Sequence, residues 1–183
     1  MRQRLAELRD SFDSSFADPH REQVAGFDDL LAIRVGGHRY ALRLTQAAGL
    51  FPDRPVTRLP GPLPSLLGVA SFRGSIVPVY DLAAVFGHPA AGPAEKGSKA
   101  ARWLVLAAGE PLVALAFEEL DGHLRVPGEL IVEESTGHGP RGCLRGIVPL
   151  EGGARPIVDV PAVRAAIEAL TGRAGKTAGN GER

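Results

Sequence analysis

Gly68-Val69-Ala70-Ser71-Phe72-Arg73-Gly74-Ser75-Ile76-Val77-Pro78-Val79-Tyr80-Asp81-Leu82 is the stretch on which the fold turns. It reads as a strand, a turn or bulge at Gly74, and a second strand. Asp81 then stands where it can cap a short helix over Leu82, Val85 and Phe86, which Gly87 ends. The pattern returns downstream as Arg145-Gly146-Ile147-Val148-Pro149 and Arg155-Pro156-Ile157-Val158-Asp159-Val160. Both places carry Arg-Gly, a β-branched strand, then Pro, an apolar residue, a variable residue, Asp and an apolar residue. In both, the Asp opens a helix.

Each copy is preceded by an alternating hairpin. Leu31, Ile33 and Val35 lead through Gly36-Gly37 to Tyr40, Leu42 and Leu44, with Arg39 and Arg43 on the other face. Trp103–Leu106 leads through Gly109-Glu110-Pro111 to Leu112–Phe117, and short strands are expected over 122–126, 130–134 and 144–150. The simplest account is an all-β chain of two similar small barrels, residues 29–87 and 101–170, with a binding groove between them. Barrel closure removes the open edges that short antiparallel strands leave.

The segments around these units read differently. Residues 45–67 are proline-rich (Pro52, Pro55, Pro60, Pro62, Pro64), and no central strand is expected there, because proline lacks the ladder N–H. Residues 88–100 have no periodicity and read as a linker. In residues 1–28, Leu5, Leu8, Phe12 and Phe16 recur at three- and four-residue spacing, which predicts one apolar stripe on a helical extension. A closing helix over Val163, Ile167 and Leu170 is followed by 171–183, which holds almost nothing apolar and reads as a disordered tail.

Composition excludes several classes. The 23 glycines and 15 prolines are spread along 183 residues, which suits many short strands with frequent turns. Basic and acidic residues number 21 each, so no general attraction to nucleic acid or anionic membrane is expected. The charged N-terminus does not resemble a signal peptide, and no apolar run approaches the ~20 residues that span a bilayer. A cytoplasmic protein is expected. Cys143 is the one cysteine, and His20, His38, His88, His123 and His138 are scattered, so neither a disulfide nor a metal site is expected.

No catalytic constellation emerges. Gly92–Lys99 imitates a phosphate-binding loop, but Ser98 separates Gly97 from Lys99. Glu118-Glu119 and Glu133-Glu134 are adjacent pairs that a strand would point to opposite sides. Cys143 lacks an identifiable base and reads as a buried thiol. No cofactor is expected.

The Gly68–Leu82 stretch resembles the most recognisable segment of the CheW family, a G-x-x-N-x-R-G-x-x-x-P-V-x-D-L pattern. Gly68, Arg73, Gly74, Pro78, Val79, Asp81 and Leu82 match it, and Ser71 stands where Asn is usual. Phe117-Glu118-Glu119-Leu120-Asp121-Gly122 is similar to the family's V-D-x-V-x-G element, and Leu144-Arg145-Gly146 with Pro156–Val160 to its closing segment. The resemblance covers residues 29–170. It implies two five-stranded SH3-like barrels side by side, with no catalysis. It also implies binding to the regulatory domain of a CheA-type histidine kinase and to the cytoplasmic tip of a chemoreceptor. The implied partner surface holds Arg73 and Phe72, with Ala47 and Leu50. Gly68, Gly74, Pro78, Asp81, Gly146 and Asp159 are the implied structural positions. One departure stands out: Ala47-Ala48-Gly49-Leu50 lacks the glutamate that the family commonly places after its first hairpin. Two further readings stay open at this point. One is a divergent scaffold of a non-motility chemosensory pathway; the other is a small hydrolase using Cys143 or the acidic pairs.

Overall fold

Two antiparallel hairpins back onto one another at the centre of the molecule. The first joins β1 (Phe27–Val35) to β2 (His38–Arg43), and the second joins β6 (Trp103–Ala107) to β7 (Ala114–Phe117). The computed structural model describes residues 26–61, 63–88, 102–134, 137 and 139–178, with side chains to 172. The remaining elements are β3 (Ala47–Pro52), β4 (Leu66–Phe72), β5 (Ser75–Asp81), α1 (Leu82–Phe86), β8 (Glu119–Pro127), β9 (Leu144–Val148), β10 (Arg155–Val158) and α2 (Val160–Ala178).

The strands form two five-stranded sheets, ordered β8-β1-β2-β10-β9 and β3-β6-β7-β5-β4. Each sheet curls until the segment past its outer strand meets the opposite strand. Thr57 and Val69 exchange N–H···O bonds of 2.8 and 2.9 Å, and Val132 and Ile147 exchange two of 2.9 Å. The expected all-β double barrel is therefore present. The two barrels follow one plan down to its details. Pro52 pairs with Trp103 while Asp53 N–H bonds Arg102 C=O; Pro127 pairs with Phe27 while Gly128 N–H bonds Gly26 C=O. Each barrel also holds one parallel pair, β5–β7 and β10–β2.

The expected division at residues 87 and 101 does not separate them. Each sequence half contributes its hairpin to one barrel and its last three strands to the other. β1–β2 joins β8, β9 and β10 in the first barrel, whereas β6–β7 joins β3, β4 and β5 in the second. Period-two alternation tells which face a side chain takes but not which strand lies beside it, so the sequence showed the repeat without its interlacing.

Interlacing explains the near-continuous apolar runs of the hairpins, since these strands are buried on both faces. Leu104, Leu106, Ala114 and Ala116 fill the second barrel with Phe72, Val77 and Val79. Leu30, Ala41, Val126, Ile131, Val148 and Ile157 fill the first. The alternate residues Leu31, Ile33, Tyr40, Leu42, Val105, Leu115 and Phe117 make the seam, together with Tyr80, Leu144 and Ile167. Each fully buried Leu, Ile, Val or Phe contributes roughly 1.5–3 kcal/mol, so opening the seam would cost both barrels the contribution of these residues.

Other expectations are corrected. The 45–67 region, expected to be irregular and without a central strand, does contain an edge strand, β3, which lies at the end of its sheet and finishes at Pro52, a place where proline is tolerated. β1 begins at Phe27, so residues 27 and 28 belong to a barrel rather than to the N-terminal extension. α2 runs to Ala178, through much of the expected tail. Between β8 and β9 there is a 3-10 turn, Gly128–Leu130, and the single Val132 bridge in place of a strand over 130–134. Residues 1–25, with their apolar stripe, and the Gly92–Lys99 loop lie outside the described residues. Among the described residues no helix is long and apolar enough to cross a membrane.

Candidate partner-binding surface

β4 and β5 turn back through only two residues, Arg73 and Gly74, whose φ angles are 49° and 85°. Two successive positive φ values define the type I′ hairpin turn, which matches the twist of the flanking strands and favours Asn-Gly. Gly74 takes its position freely. Arg73 does not, and a non-glycine side chain there costs on the order of 1 kcal/mol. The Arg73 side chain is exposed, and among the described residues its guanidinium has no hydrogen bond or ion pair.

The tip stands on a rigid base. Phe72 is 3% exposed and meets Phe51 edge-on at 4.9 Å between ring centroids. The Arg54 guanidinium lies over both rings, 5.2 and 5.1 Å from their centroids, and donates to Ser71 C=O at 3.0 and 2.7 Å. Phe72 is thus a support and not a contact residue, which corrects the sequence expectation: neighbours on a strand face opposite sides, and Phe72 takes the inner one. Ser71 and Ile76 pair across the hairpin and are exposed, Ile76 at 77%. From Ile76 a groove of about 440 Å³ runs past Pro78, Pro111 and Leu112 to Ile167 and Thr171 on α2. Ala47 and Leu50 sit elsewhere, half-buried on β3 and packed against the seam.

The structural positions have distinct tasks. At Gly68 (φ 147°) an added Cβ would lie 2.0 Å from Thr57 C=O, and at Gly146 (φ 112°) one would lie 3.1 Å from Val132 C=O. Both glycines therefore let the closing segment reach the barrel. This pairs Gly146 with Gly68, not with Gly74 as the repeated Arg-Gly suggested; Arg145 reaches Asp159 at 3.1 Å instead. Pro78 lies half-buried on β5 opposite Val69. Asp81 caps α1, accepting from Ala83 N–H at 3.0 Å. Asp159 precedes α2 but does not cap it. Gln46, from the crossover between β2 and β3, accepts from Val160 N–H at 3.1 Å and donates to the Asp159 carboxylate at 3.3 Å.

Gln46, Arg54 and Glu118 were missed as organising residues. Glu118 accepts twice from Gly36 N–H, at 2.9 and 2.8 Å, fastening the second crossover to the first hairpin. Its place in the V-D-x-V-x-G-like element was the available signal; Gln46 and Arg54 gave none. Cys143 is fully buried, and burial pushes its thiol up to about 11, with the Asp159 charge adding to this and Arg141 opposing it. At neutral pH it is not a thiolate nucleophile. Among the described residues no group of three or more His, Cys, Asp or Glu is placed to hold a metal.

A double-barrel all-β domain that presents a strained basic hairpin tip beside an apolar groove is equipped for binding other proteins. The family model of the CheW-like domain matches residues 29–168, and the chain belongs to that family. It is 27% identical over 130 residues to a probable chemotaxis protein CheW of Rhizobium etli, covering 69% of this chain and 80% of that protein. In fold it is similar to the scaffolding protein TtCheW from Thermoanaerobacter tengcongensis, with a TM-score of 0.59 and 18% identity over 72% of this chain and 88% of that one.

Proposed function

We propose that this chain is a non-catalytic adaptor that couples chemoreceptors to a CheA-type histidine kinase, with Arg73 as its principal contact. Membership of the CheW-like family supports a scaffolding role in chemotaxis. The observation that carries the assignment of Arg73 is its conformation. It occupies a positive-φ position that Asn or Gly fills at lower cost, and nothing among the described residues uses its charge. A guanidinium held out in this way suits a partner carboxylate, which it can engage through two parallel hydrogen bonds. Ile76 and the groove behind it add apolar area beside the charge. Ala47 and Leu50 enter this reading as a second, seam-side contact on β3.

Titration calorimetry with the regulatory domain of a CheA-type kinase, and separately with a receptor-tip fragment, tests the proposal. Arg73→Glu is expected to weaken one or both by more than tenfold, and by more than Arg73→Ala, because it creates like-charge contact. Its unfolding free energy should stay within about 0.5 kcal/mol of the parent. Parent affinity in Arg73→Glu for both partners would overturn the assignment.

A further inference from the structure

Each helix is fastened to the hairpin of the opposite barrel, and the two fasteners differ in chemistry. α2 follows β10 of the first barrel, and Arg164 on it donates from Nη1 to Ala108 C=O at 3.0 Å, in the turn between β6 and β7. A Cβ added at Gly109 in that turn would lie 2.7 Å from the same nitrogen. α1 follows β5 of the second barrel, and His88 just past it meets the turn between β1 and β2. A Cβ added at Gly36 in that turn would lie 3.0 Å from the His88 Cβ. The guanidinium carries a permanent charge. The imidazole belongs to the one side-chain type whose charge ordinarily changes between about pH 5 and pH 8.

The surroundings of His88 are specific. Its N–H bonds Ala83 C=O at 3.0 Å, which ties its backbone to α1. Its ring stacks on that of exposed His38, with centroids 4.7 Å apart and planes 8° from parallel. Its Nε2 shares a hydrogen bond of 3.0 Å with the buried Tyr40 hydroxyl, and Phe86 meets the ring edge-on. His38 Nδ1–H donates to Gly36 C=O at 2.9 Å, so Nε2 is the His38 nitrogen that takes a proton. The titratable groups facing His88 are therefore His38 and Tyr40 from β2 and Glu118 from the crossover between β7 and β8. α1, Leu82–Phe86, carries none. Glu118, which accepts from Gly36 N–H in the same turn, favours one positive charge on the stack. A second would lie one ring away from the first, and like charges that close oppose each other. Burial, and then His38, hold the His88 imidazole below its ordinary value of 6.5, with Glu118 opposing.

We propose that the His38–His88 stack is a proton-operated clasp between the two barrels. With at least one ring neutral, it holds the end of α1 against the β1–β2 turn. When both rings are protonated, His88 leaves the turn, while the Arg164 fastener of α2 stays closed. The direction follows from which form the site favours. Neutral His88 is the better-bound form, so the clasp is fully closed above 6.5 and opens as pH falls through the lowered value. His88 is also where residues 89–101, which connect the two halves of the chain, begin. Their starting point is fixed to the first barrel when the clasp is closed and is released when it opens.

The test follows the imidazole carbon-bound proton signals of His38 and His88 in the full chain by nuclear magnetic resonance, from about pH 8 to about pH 5. The His88 midpoint should lie below 6.5. The through-space contacts of His88 with His38 and Phe86 should vanish with that same midpoint. The amide signals of Ala108 and Gly109 should not move, and those of the ten strands should persist. His38→Phe keeps a stacked ring at an exposed position and removes one of the two charges. In that variant the His88 midpoint should rise, and its contact with Phe86 should survive to about pH 5. Three results would overturn the proposal. Ring contacts in the parent that persist to about pH 5 would mean that protonation opens nothing. Equal His88 midpoints in the parent and His38→Phe would mean that the two rings do not sense each other. Loss of the strand signals in the same window would make the event an unfolding of the barrels and not the opening of a clasp.

Discussion

In the second barrel the strands β4 and β5 reverse through Arg73 and Gly74 alone; in the first, β9 and β10 are joined by a looser loop over residues 149–154. The helices that follow differ as well. α1 is capped by its own Asp81, and α2 by Gln46 reaching from the opposite half of the chain. Beneath these differences the closing bridges, the two terminal prolines, Gly68 with Gly146, and Asp81 with Asp159 all recur. The comparison separates two kinds of residue. What a barrel of this plan requires must occur twice. What occurs once, such as the Arg73 tip with its Arg54–Phe51–Phe72 base, is not required by barrel construction and is open to another use.

The largest effect should come from the repeated glycines. Gly68→Ala places a Cβ against Thr57 C=O, and the φ of 147° is one that a side chain resists. A loss above about 3 kcal/mol in urea unfolding is expected. Gly146→Ala, with 3.1 Å to Val132 C=O, should lose roughly half as much. Equal losses, or the reverse order, would break the equivalence of the two closures.

Next is the seam. Leu115 is fully buried between the barrels, and Leu115→Ala should destabilise by about 2–5 kcal/mol. Because both barrels lean on this residue, Trp103 fluorescence and far-ultraviolet circular dichroism should still report one coincident transition. A second transition that leaves one barrel folded would show that the seam does not couple them.

The sequence made the repeat, both hairpins and the two helix-opening aspartates legible, because each rests on local spacing. It could not show the exchange of hairpins, since Ala114 and Leu115 are both apolar and the pattern does not say that one lines a barrel and the other the seam. Counting prolines hid β3, whose Pro52 is harmless at the end of an outer strand. The repeated Arg-Gly misled in a specific way. In Arg145-Gly146 the glycine matches Gly68 within a strand, while the Arg73-Gly74 turn has no counterpart. Placing Phe72 in the contact surface overlooked the alternation that turns it inward beside an outward Arg73.

A smaller effect separates the two helix caps. Asp81→Ala and Gln46→Ala should each cost about 1 kcal/mol. Gln46→Ala should cost the more, because the Asp159 carboxylate, 8% exposed, also loses a donor. The reverse order in thermal melts would show that the crossover cap contributes little.

The smallest expected change has the opposite sign. Arg73→Asn relieves the positive-φ strain and should raise stability by up to about 1 kcal/mol while weakening kinase or receptor binding. If Arg73→Asn instead left the chain less stable than the parent, Arg73 would be holding the turn. The division between repeated and single features would then fail at its most important residue.

The interlaced arrangement itself is tested most directly by cutting the chain between its halves. A protease recognition sequence placed within residues 89–101 allows cleavage after folding. Since each barrel draws strands from both halves, the two pieces should co-elute as one 1:1 particle with unchanged circular dichroism. Their unfolding should become concentration-dependent, as for any two-chain complex. Two pieces that elute separately, each still folded, would contradict the account.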